Sequence, residues 1–189
     1  MSAAKVFIAG SRSLSRLNQN LSRRIDNIMD QALTVLVGDA NGVDKTVQQY
    51  LRAKRYATVI VFCMESGCRN NVGKWATRTI AAADPSRRDS AYYATKDRAM
   101  AVEADYGLML WDAKSRGTLT NIVHLVRQGK SVVVYVAPKR SFQVLRHPDQ
   151  LNEMLRRFDP GVLHRIDLEL DSLGTSVGPG CQAEPPPFF

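Results

Sequence analysis

The chain has 189 residues, of which 44% are hydrophobic and 23% are charged, and its formal net charge is +8. These values are typical of one ordinary globular domain, and the basic balance favours anionic partners. No run of about 18 apolar residues predicts a membrane span, and the first residues lack the zones of a signal peptide, so we expect a cytoplasmic protein with no membrane partner.

The N-terminal part of the sequence alternates short apolar runs with helical patterns. Apolar runs, the third of them rich in β-branched residues, predict strands over 5–9, 34–37 and 58–62. Between them, the spacing of apolar residues predicts helices over 17–31 and 43–55. Strands that alternate with helices in this way are typical of βαβ units and a parallel sheet.

The later part continues the alternation after a less regular stretch. We predict a loop over 65–73, a short helix over 75–83 and an exposed polar excursion over 84–89. The elements predicted after that point are a helix over 90–104, a strand over 106–111, a helix over 117–128 that Gly129 ends, a strand over 131–136, a short helix over 148–158 and an edge strand over 163–170.

The predicted fold class is therefore α/β, a Rossmann-like three-layer domain over 1–171 with a parallel sheet of about five or more strands. Residues 172–189 are rich in Gly and Pro, a composition that does not bury a core, so we expect a disordered tail. Cys63, Cys68 and Cys181 make no disulfide framework, and the histidines lie far apart, so we predict no metal site and no cofactor.

Three loops follow predicted strands and lead toward helices, which is where parallel sheets bind ligands. Glycine lets the backbone approach a ligand, the first turn of a helix presents unpaired N–H groups, and hydroxyl and guanidinium groups add further donors. We predict a phosphate-type ligand site formed by Gly10, Ser11, Arg12, Gly38, Asp39, Gly42, Asp44, Ser115, Arg116, Gly117 and Thr118. No loop has the G-x-G-x-x-G or Walker pattern, which disfavours ordinary NAD binding and ATP hydrolysis.

Two further segments carry hydrogen-bonding groups. Asn70, Asn71 and Trp75 are candidates for contacting and stacking a base; the alternative is a polar turn with the tryptophan packed in the core. Lys96, a further base-contact candidate, and Asp97 lie one helix before the fourth strand, and they either reach the site or lie on a solvated face.

These segments resemble the SLOG superfamily, which is named for the Smf/DNA-processing protein A and LOG families. The resemblance rests on IAGSR at 8–12, VGDANGVD at 37–44, KDRAMAVEAD at 96–105 and WDAKSRGTLTNI at 111–122. The second segment is similar to the G-G-x-x-G-x-D loop of DNA-processing protein A and of the small YspA-like bacterial proteins, to which the likeness is nearest. The resemblance implies a Rossmann-like sheet, a nucleotide-related ligand and self-association as a homo-oligomer such as a dimer.

The LOG branch, whose members are phosphoribohydrolases that cleave the base from a nucleoside 5′-monophosphate, is similar in part. Its P-G-G-x-G-T-x-x-E motif falls on 113–121, where Gly117 and Thr118 match but Asn121 occupies the glutamate position, and its arginine falls on Lys96. An asparagine amide neither acts as a general base nor carries the charge that stabilises an oxocarbenium-like state. The catalytic candidates for such an enzyme are Asp97, Asp112 and Asn121, with Asp39 and Asp44 as further carboxylates that could substitute.

The sequence thus favours a module that binds a nucleotide or nucleotide-derived phosphorylated ligand at the carboxyl edge of the sheet, for example as a sensor in bacterial stress or defence. One alternative is a nucleotide N-glycosidase of the LOG type. A second and less favoured alternative is the binding of single-stranded nucleic acid, which the net charge of +8 and the DNA-processing branch suggest.

Overall fold

The structure is a computed structural model, and it describes residues 3–158 except 83, 85 and 87. The strands in this part of the chain are β1 Lys5–Gly10, β2 Thr34–Val37, β3 Val59–Met64, β4 Ala76–Ile80, β5 Tyr106–Trp111, β6 Ser131–Val136 and β7 Ser141–Leu145. The α-helices are α1 Gln19–Asp30, α2 Val43–Ala53, α3 Ser90–Glu103, α4 Arg116–Arg127 and α5 Pro148–Leu155. A short 3-10 helix at Ala137–Lys139 connects β6 to β7.

All seven strands form one sheet in the order β4-β3-β2-β1-β5-β6-β7. The pairs from β4 to β6 are parallel, and β7 pairs with β6 in the antiparallel direction. The predicted α/β, Rossmann-like class is therefore confirmed. The chain builds the sheet outward from β1 through β4 and then returns to place β5 on the other side of β1, so the strand order reverses between β1 and β5.

The helices cover both faces of the sheet. α1 and α2 pack on one face, where Ile25, Val47 and Leu51 are buried, whereas α3, α4 and α5 pack on the other with Met100 and Ile122. Because both faces are covered, the inner strands are buried along their length, and all six residues of β6 are buried. This burial explains why these strands are continuous apolar runs in the sequence.

Polar side chains cap the N-termini of α1, α3 and α4. Asn18, Asp89 and Ser115 stand just before α1, α3 and α4, and each accepts a hydrogen bond from the backbone N–H three residues later. Gly129 follows α4 with a φ of 70°, which agrees with its predicted role of ending that helix. The starts of α3 and α4, which matter for the site below, are thus set by local sequence.

Two segments differ from the sequence prediction. The helix predicted over 75–83 is wrong, because Ala76–Ile80 is a parallel edge strand in which Val61 pairs with Thr77 and Cys63 with Thr79. Its β-branched threonines and isoleucine favour an extended backbone, which pairing with β3 stabilises. β7 was not predicted; it pairs antiparallel with β6, which immediately precedes it in the chain.

Cys63, near the end of β3, and Cys68, in the loop that follows, are joined by a disulfide with 4.9 Å between their Cα atoms. The expectation that the cysteines make no disulfide framework is therefore wrong for this pair. A tight turn that bridges Met64 and Gly67 brings the two sulfur atoms together. Cys181 lies outside the described residues.

Among the described residues, none of the helices combines the length and the hydropathy needed to span a membrane. The predicted edge strand over 163–170 and the tail over 172–189 lie outside the described residues. The domain boundary at residue 171 therefore stays a prediction.

Gly42→Ala is expected to lower the free energy of unfolding by about 2 kcal/mol, as measured by urea denaturation. Gly42 has a φ of 82°, and a Cβ at this position would lie 2.5 Å from the Cα and the carbonyl oxygen of Arg12. These are backbone atoms that cannot rotate away. Gly117→Ala is the matched control, because no atom lies within 4 Å of the Cβ it would gain. Equal losses of stability in the two variants would contradict this prediction.

Candidate functional site

The reversal of strand order between β1 and β5 opens a cleft at the carboxyl edge of the sheet. At the carboxyl ends of these two strands, the backbone N–H of Ser11 donates to the carbonyl of Leu110 at 2.9 Å. Open parallel sheets bind ligands at such points, where connections leave on opposite faces. The cavity measures about 630 Å³, which falls in the range of small-molecule and cofactor sites.

Separate parts of the chain line this cleft: the loop after β1, the start of α2, the first half of α3 and the loop that leads into α4. The predicted site residues on its wall are Gly10, Ser11, Arg12, Asp44, Lys96, Asp97, Asp112, Ser115, Gly117, Thr118 and Asn121. The fold therefore brings the first and third predicted loops, and Asp44 of the second, to one cavity. Gly42 and the backbone of Arg12 lie in direct contact behind this wall.

Asp112 holds the loop after β1 against the loop before α4. Its carboxylate accepts hydrogen bonds from the hydroxyls of Ser11 and Ser13 at 2.6 and 2.8 Å, and from the backbone N–H of Ser115 at 2.7 Å. Burial alone would raise the pKa of Asp112, but these hydrogen bonds outweigh burial and lower it below its usual value. Asp112 is therefore an ionised group with its oxygens engaged.

A buried lysine lies beneath the cleft. Lys96 of α3 is 2% exposed, and its ammonium group lies 3.2 Å from the carboxylate of Asp39 and 3.5 Å from that of Asp97. Burial would lower the pKa of Lys96, but the negative charges of Asp97, Asp44 and Asp39 raise it above its usual value. Lys96 thus remains a cation inside the protein, and it does not lie on a solvated face.

Asp39, which is buried behind the cleft wall, pairs with a second cation. The guanidinium group of Arg69 donates to Asp39 at 2.7 Å, and the backbone N–H of Arg69 donates to the same carboxylate at 3.0 Å. Burial would raise the pKa of Asp39, but the bonds from Arg69 and the charge of Lys96 hold it below its usual value. Arg69 also stacks 4.3 Å from the ring centre of Tyr93, so it joins the loop after β3 to α3.

The pKa of Asp44 shifts in the opposite direction to that of Asp39. The Asp44 carboxylate is buried at the start of α2, accepts a hydrogen bond from the backbone N–H of Ala40 at 3.1 Å and lies close to Lys96. Burial raises the pKa of Asp44 to about 6, even though the charge of Lys96 opposes this change. A Cβ at Gly38 would lie 2.4 Å from this carboxylate and 2.7 Å from the ammonium of Lys96, so only glycine leaves room for the pair.

The upper part of the cleft presents positive groups. The N-terminal turns of α3 and α4 both line it, and helix N-termini carry a partial positive charge with unpaired N–H groups. At α3 the carboxylate of Asp89 caps the turn and offsets this charge, whereas Ser115 and Gly117 at the start of α4 bring no negative charge. Four cations also line it, namely Arg12, Arg69, Arg88 and Lys114. The electrostatic arrangement favours an anion near the start of α4, above a floor of carboxylates.

Several predicted site residues do not line the cleft. Asn71 and Trp75 bond to each other across a turn, and the indole N–H donates to the carbonyl of Tyr56 at 2.9 Å. Asn70 donates to the carbonyl of Asp39 at 2.7 Å and so supports the second loop. The remaining predicted residues that are absent from the wall are Gly38, Asp39, Gly42 and Arg116.

Sequence reasoning missed residues whose importance depends on tertiary contacts. Arg69 has no motif of its own, although it belongs to the polar segment that contains Asn70. Gln48 is fully buried on α2, where it donates to the carbonyl of Gly38 and accepts from the backbone N–H of Val72. Tyr93 is recognisable only once α3 is placed beside the loop after β3.

Asp39, Cys63 and Cys68 form the one group of three metal-ligand types within 4.8 Å of one another in the described part of the chain. The two sulfur atoms are bonded to each other, and the carboxylate pairs with Arg69 and Lys96. In this arrangement the group offers no free set of ligands to a metal ion.

The fold and the cleft together define an α/β domain of the Rossmann-like class with a cavity at the switch point of its sheet. Among solved structures, the chain is similar to DNA processing protein A from Helicobacter pylori, which is described for its single-stranded DNA binding mode. The TM-score is 0.54 at 17% identity, and the match covers 89% of this chain and 81% of that one.

A second similar structure is DNA processing protein A from Streptococcus pneumoniae, with a TM-score of 0.52 at 15% identity, over 70% of this chain and 50% of that one. No family model and no curated protein matches the sequence. At these identities the likeness establishes a fold shared with DNA processing protein A, the branch of the SLOG superfamily that the second loop resembles.

The free energy of unfolding is expected to fall by about 2 to 3 kcal/mol between pH 4 and pH 6 because of Asp44. The pKa of Asp44 is raised from 3.8 to about 6 in the folded protein, so the folded state binds this proton more tightly than the unfolded state does. The stabilisation is complete below the unfolded value and is lost as the pH rises through the folded value. Urea titrations at several pH values measure it.

Asp44→Asn should flatten this decline, because the amide does not titrate. Asp30→Asn, which changes an exposed carboxylate at the end of α1, is the control and should leave the decline in place. An unchanged pH profile in Asp44→Asn would contradict the assignment.

Proposed function

We propose that this protein binds a nucleotide or nucleotide-derived phosphorylated ligand in the cleft between β1 and β5. The observation that carries the proposal is the convergence of two helix N-termini and the Ser11–Arg12 loop on one cavity of about 630 Å³. A dianionic phosphate satisfies several N–H and hydroxyl donors at once, and the partial charges of the helices favour it. A sensor role, a homo-oligomer and a cytoplasmic location accompany this proposal as predictions.

The phosphate is assigned to the start of α4. Gly117 lines the cavity there, and within residues 3–158 no atom beyond its own turn lies within 4 Å of the position that a Cβ would take. The backbone is therefore open to a ligand. The hydroxyls of Ser115 and Thr118 lie 3.0 Å apart on the same turn, and both residues line the cavity. The sugar and base then extend toward Asp97 and Asn121, whose polar groups suit hydroxyl and amino partners.

Isothermal titration calorimetry tests this proposal with a panel of nucleoside monophosphates, cyclic nucleotides and ADP-ribose. We expect a dissociation constant in the range of about 1 to 100 μM for at least one phosphorylated compound, and binding of its unphosphorylated nucleoside that is at least about tenfold weaker. Gly117→Glu should abolish binding, since it places a carboxylate where the phosphate is assigned.

Gln19→Glu is the matched control, because it adds the same charge at an exposed position on α1, away from the cleft. Absence of any binding at 1 mM across the panel, or equal binding by the wild type and Gly117→Glu, would refute the proposal. Chromatography of the same mixtures for free base and ribose 5-phosphate addresses the LOG-like N-glycosidase alternative. Its candidate carboxylate is Asp97, which accepts a hydrogen bond from the side-chain amide of Asn121 at 3.4 Å.

Single-stranded DNA is a second candidate ligand, and the comparisons favour it. The similar protein from Helicobacter pylori is described for its single-stranded DNA binding mode. This chain carries a net charge of +8, and the exposed cations Arg12, Arg88 and Lys114 line the mouth of the cleft. A strand whose backbone crosses this mouth would place one phosphate at the start of α4 and others against these cations.

Fluorescence anisotropy with a labelled oligothymidine measures this candidate. The logarithm of the binding constant should fall linearly with the logarithm of the salt concentration, with a slope of about 0.7 per contacted phosphate. The double variant Arg12→Ala/Lys114→Ala should make this slope shallower, whereas Arg23→Ala on the exposed side of α1 should not. A flat salt response, or a slope in Arg12→Ala/Lys114→Ala that equals that of the wild type, would exclude DNA binding at the cleft.

A further inference from the structure

We propose that Cys63 and Cys68 form a reversible dithiol–disulfide site that controls the position of Arg69 at the cleft. The reaction partners are small dithiols and disulfides, and the inference does not depend on the identity of the cleft's ligand. It rests on the accessibility of one sulfur atom and on the short connection from that sulfur to the wall of the cleft.

The two cysteines differ in exposure in the way that a reversible pair requires. Cys63 is 3% exposed within β3, whereas Cys68 is exposed in the loop that follows. We therefore assign Cys68, the exposed residue of the pair, as the point of attack for an external thiolate. Exposed disulfides of this kind are the labile ones, whereas buried structural disulfides resist reduction.

The loop after Cys68 runs directly into the charge cluster behind the cleft. Arg69 is the next residue, its backbone N–H donates to Asp39 at 3.0 Å, and its guanidinium group both pairs with Asp39 and lines the cavity. The carboxylate of Asp39 lies within 4.8 Å of both sulfur atoms. The disulfide thus fixes the residue before Arg69 beside the carboxylate that Arg69 binds.

Reduction would remove this constraint and add conformational freedom to the loop. The attachments that remain include the contacts of Arg69 with Asp39 and Tyr93 and the hydrogen bond from Asn70 to the carbonyl of Asp39. Gln48 also donates to the carbonyl of Asn70 and accepts from the N–H of Val72. The added freedom favours states in which Arg69 leaves Asp39 and the cleft wall.

The exchange is balanced in atoms and electrons. One thiolate of a dithiol attacks the sulfur of Cys68, the bond between the cysteines breaks, and Cys63 leaves as a thiolate that takes up a proton. The second thiol of the reductant then attacks the reductant's other sulfur, which is bonded to Cys68 in the mixed disulfide. Cys68 leaves and is protonated. Two electrons and two protons pass from the dithiol, which becomes a disulfide, and a small-molecule disulfide reverses the reaction.

Limited proteolysis of the full chain tests the proposal, because trypsin cleaves after Arg69. The protein is purified without reductant in a Cys181→Ser background, and cleavage after Arg69 is quantified by mass spectrometry relative to cleavage after the exposed Arg140. Native protein treated with dithiothreitol should yield two additional thiols when it is then denatured and alkylated with iodoacetamide. The treated native protein should be cleaved after Arg69 about tenfold faster than untreated protein, since cleavage follows the population of the open loop.

The matched control is the double variant Cys63→Ser/Cys68→Ser, which should be cleaved quickly with or without dithiothreitol. Circular dichroism checks its fold, and the comparison of the two redox states of the parent stands even if this variant is unstable. Two free thiols before reduction, no gain of thiols from the native protein, or an equal rate of cleavage after Arg69 in both states would each overturn the proposal.

Discussion

The rest of the site depends on the ion pairs made by one buried group, the ammonium of Lys96. It lies among the carboxylates of Asp39, Asp44 and Asp97, which come from the loop after β2, from α2 and from α3. A charge without a partner is costly inside a protein, so the buried charge of Lys96 is stable only while these carboxylates remain in place. The cluster therefore fixes three separate parts of the chain relative to one another beneath the cleft.

This cluster also divides the cleft into two chemical zones. The floor carries carboxylates, one of which, Asp44, has its pKa raised to about 6 and so changes charge near neutral pH. The rim carries helix N-termini, hydroxyl groups and exposed cations such as Arg12 and Lys114. A ligand with a phosphate at one end and hydroxyl or amino groups at the other matches this division, and a nucleotide is such a molecule.

The two ligand candidates share one recognition chemistry and differ in extent. A free nucleotide ends within the cavity, whereas a DNA strand continues across its mouth and meets further cations. The shared fold with DNA processing protein A, at 15% and 17% identity, fixes the backbone arrangement and leaves the ligand to be decided by experiment. The proposed redox reaction of the Cys63–Cys68 disulfide acts at the edge of the same cavity, because Arg69 follows Cys68 in the chain and lines the cavity.

The sequence by itself determined the class of the fold and the loops that carry chemistry. Continuous apolar strands, helical spacing and glycines after strands are local signals, and they predicted β1, β5, β6 and the loops with Ser11 and Thr118. Only the tertiary structure decided which segments meet. The strand β4, the disulfide between Cys63 and Cys68, and the roles of Arg69 and Gln48 depend on contacts between residues whose local sequence carries no signal for them. Propensity and periodicity describe a segment alone, whereas strand pairing and the burial of a charge are properties of the partners that the fold brings to it.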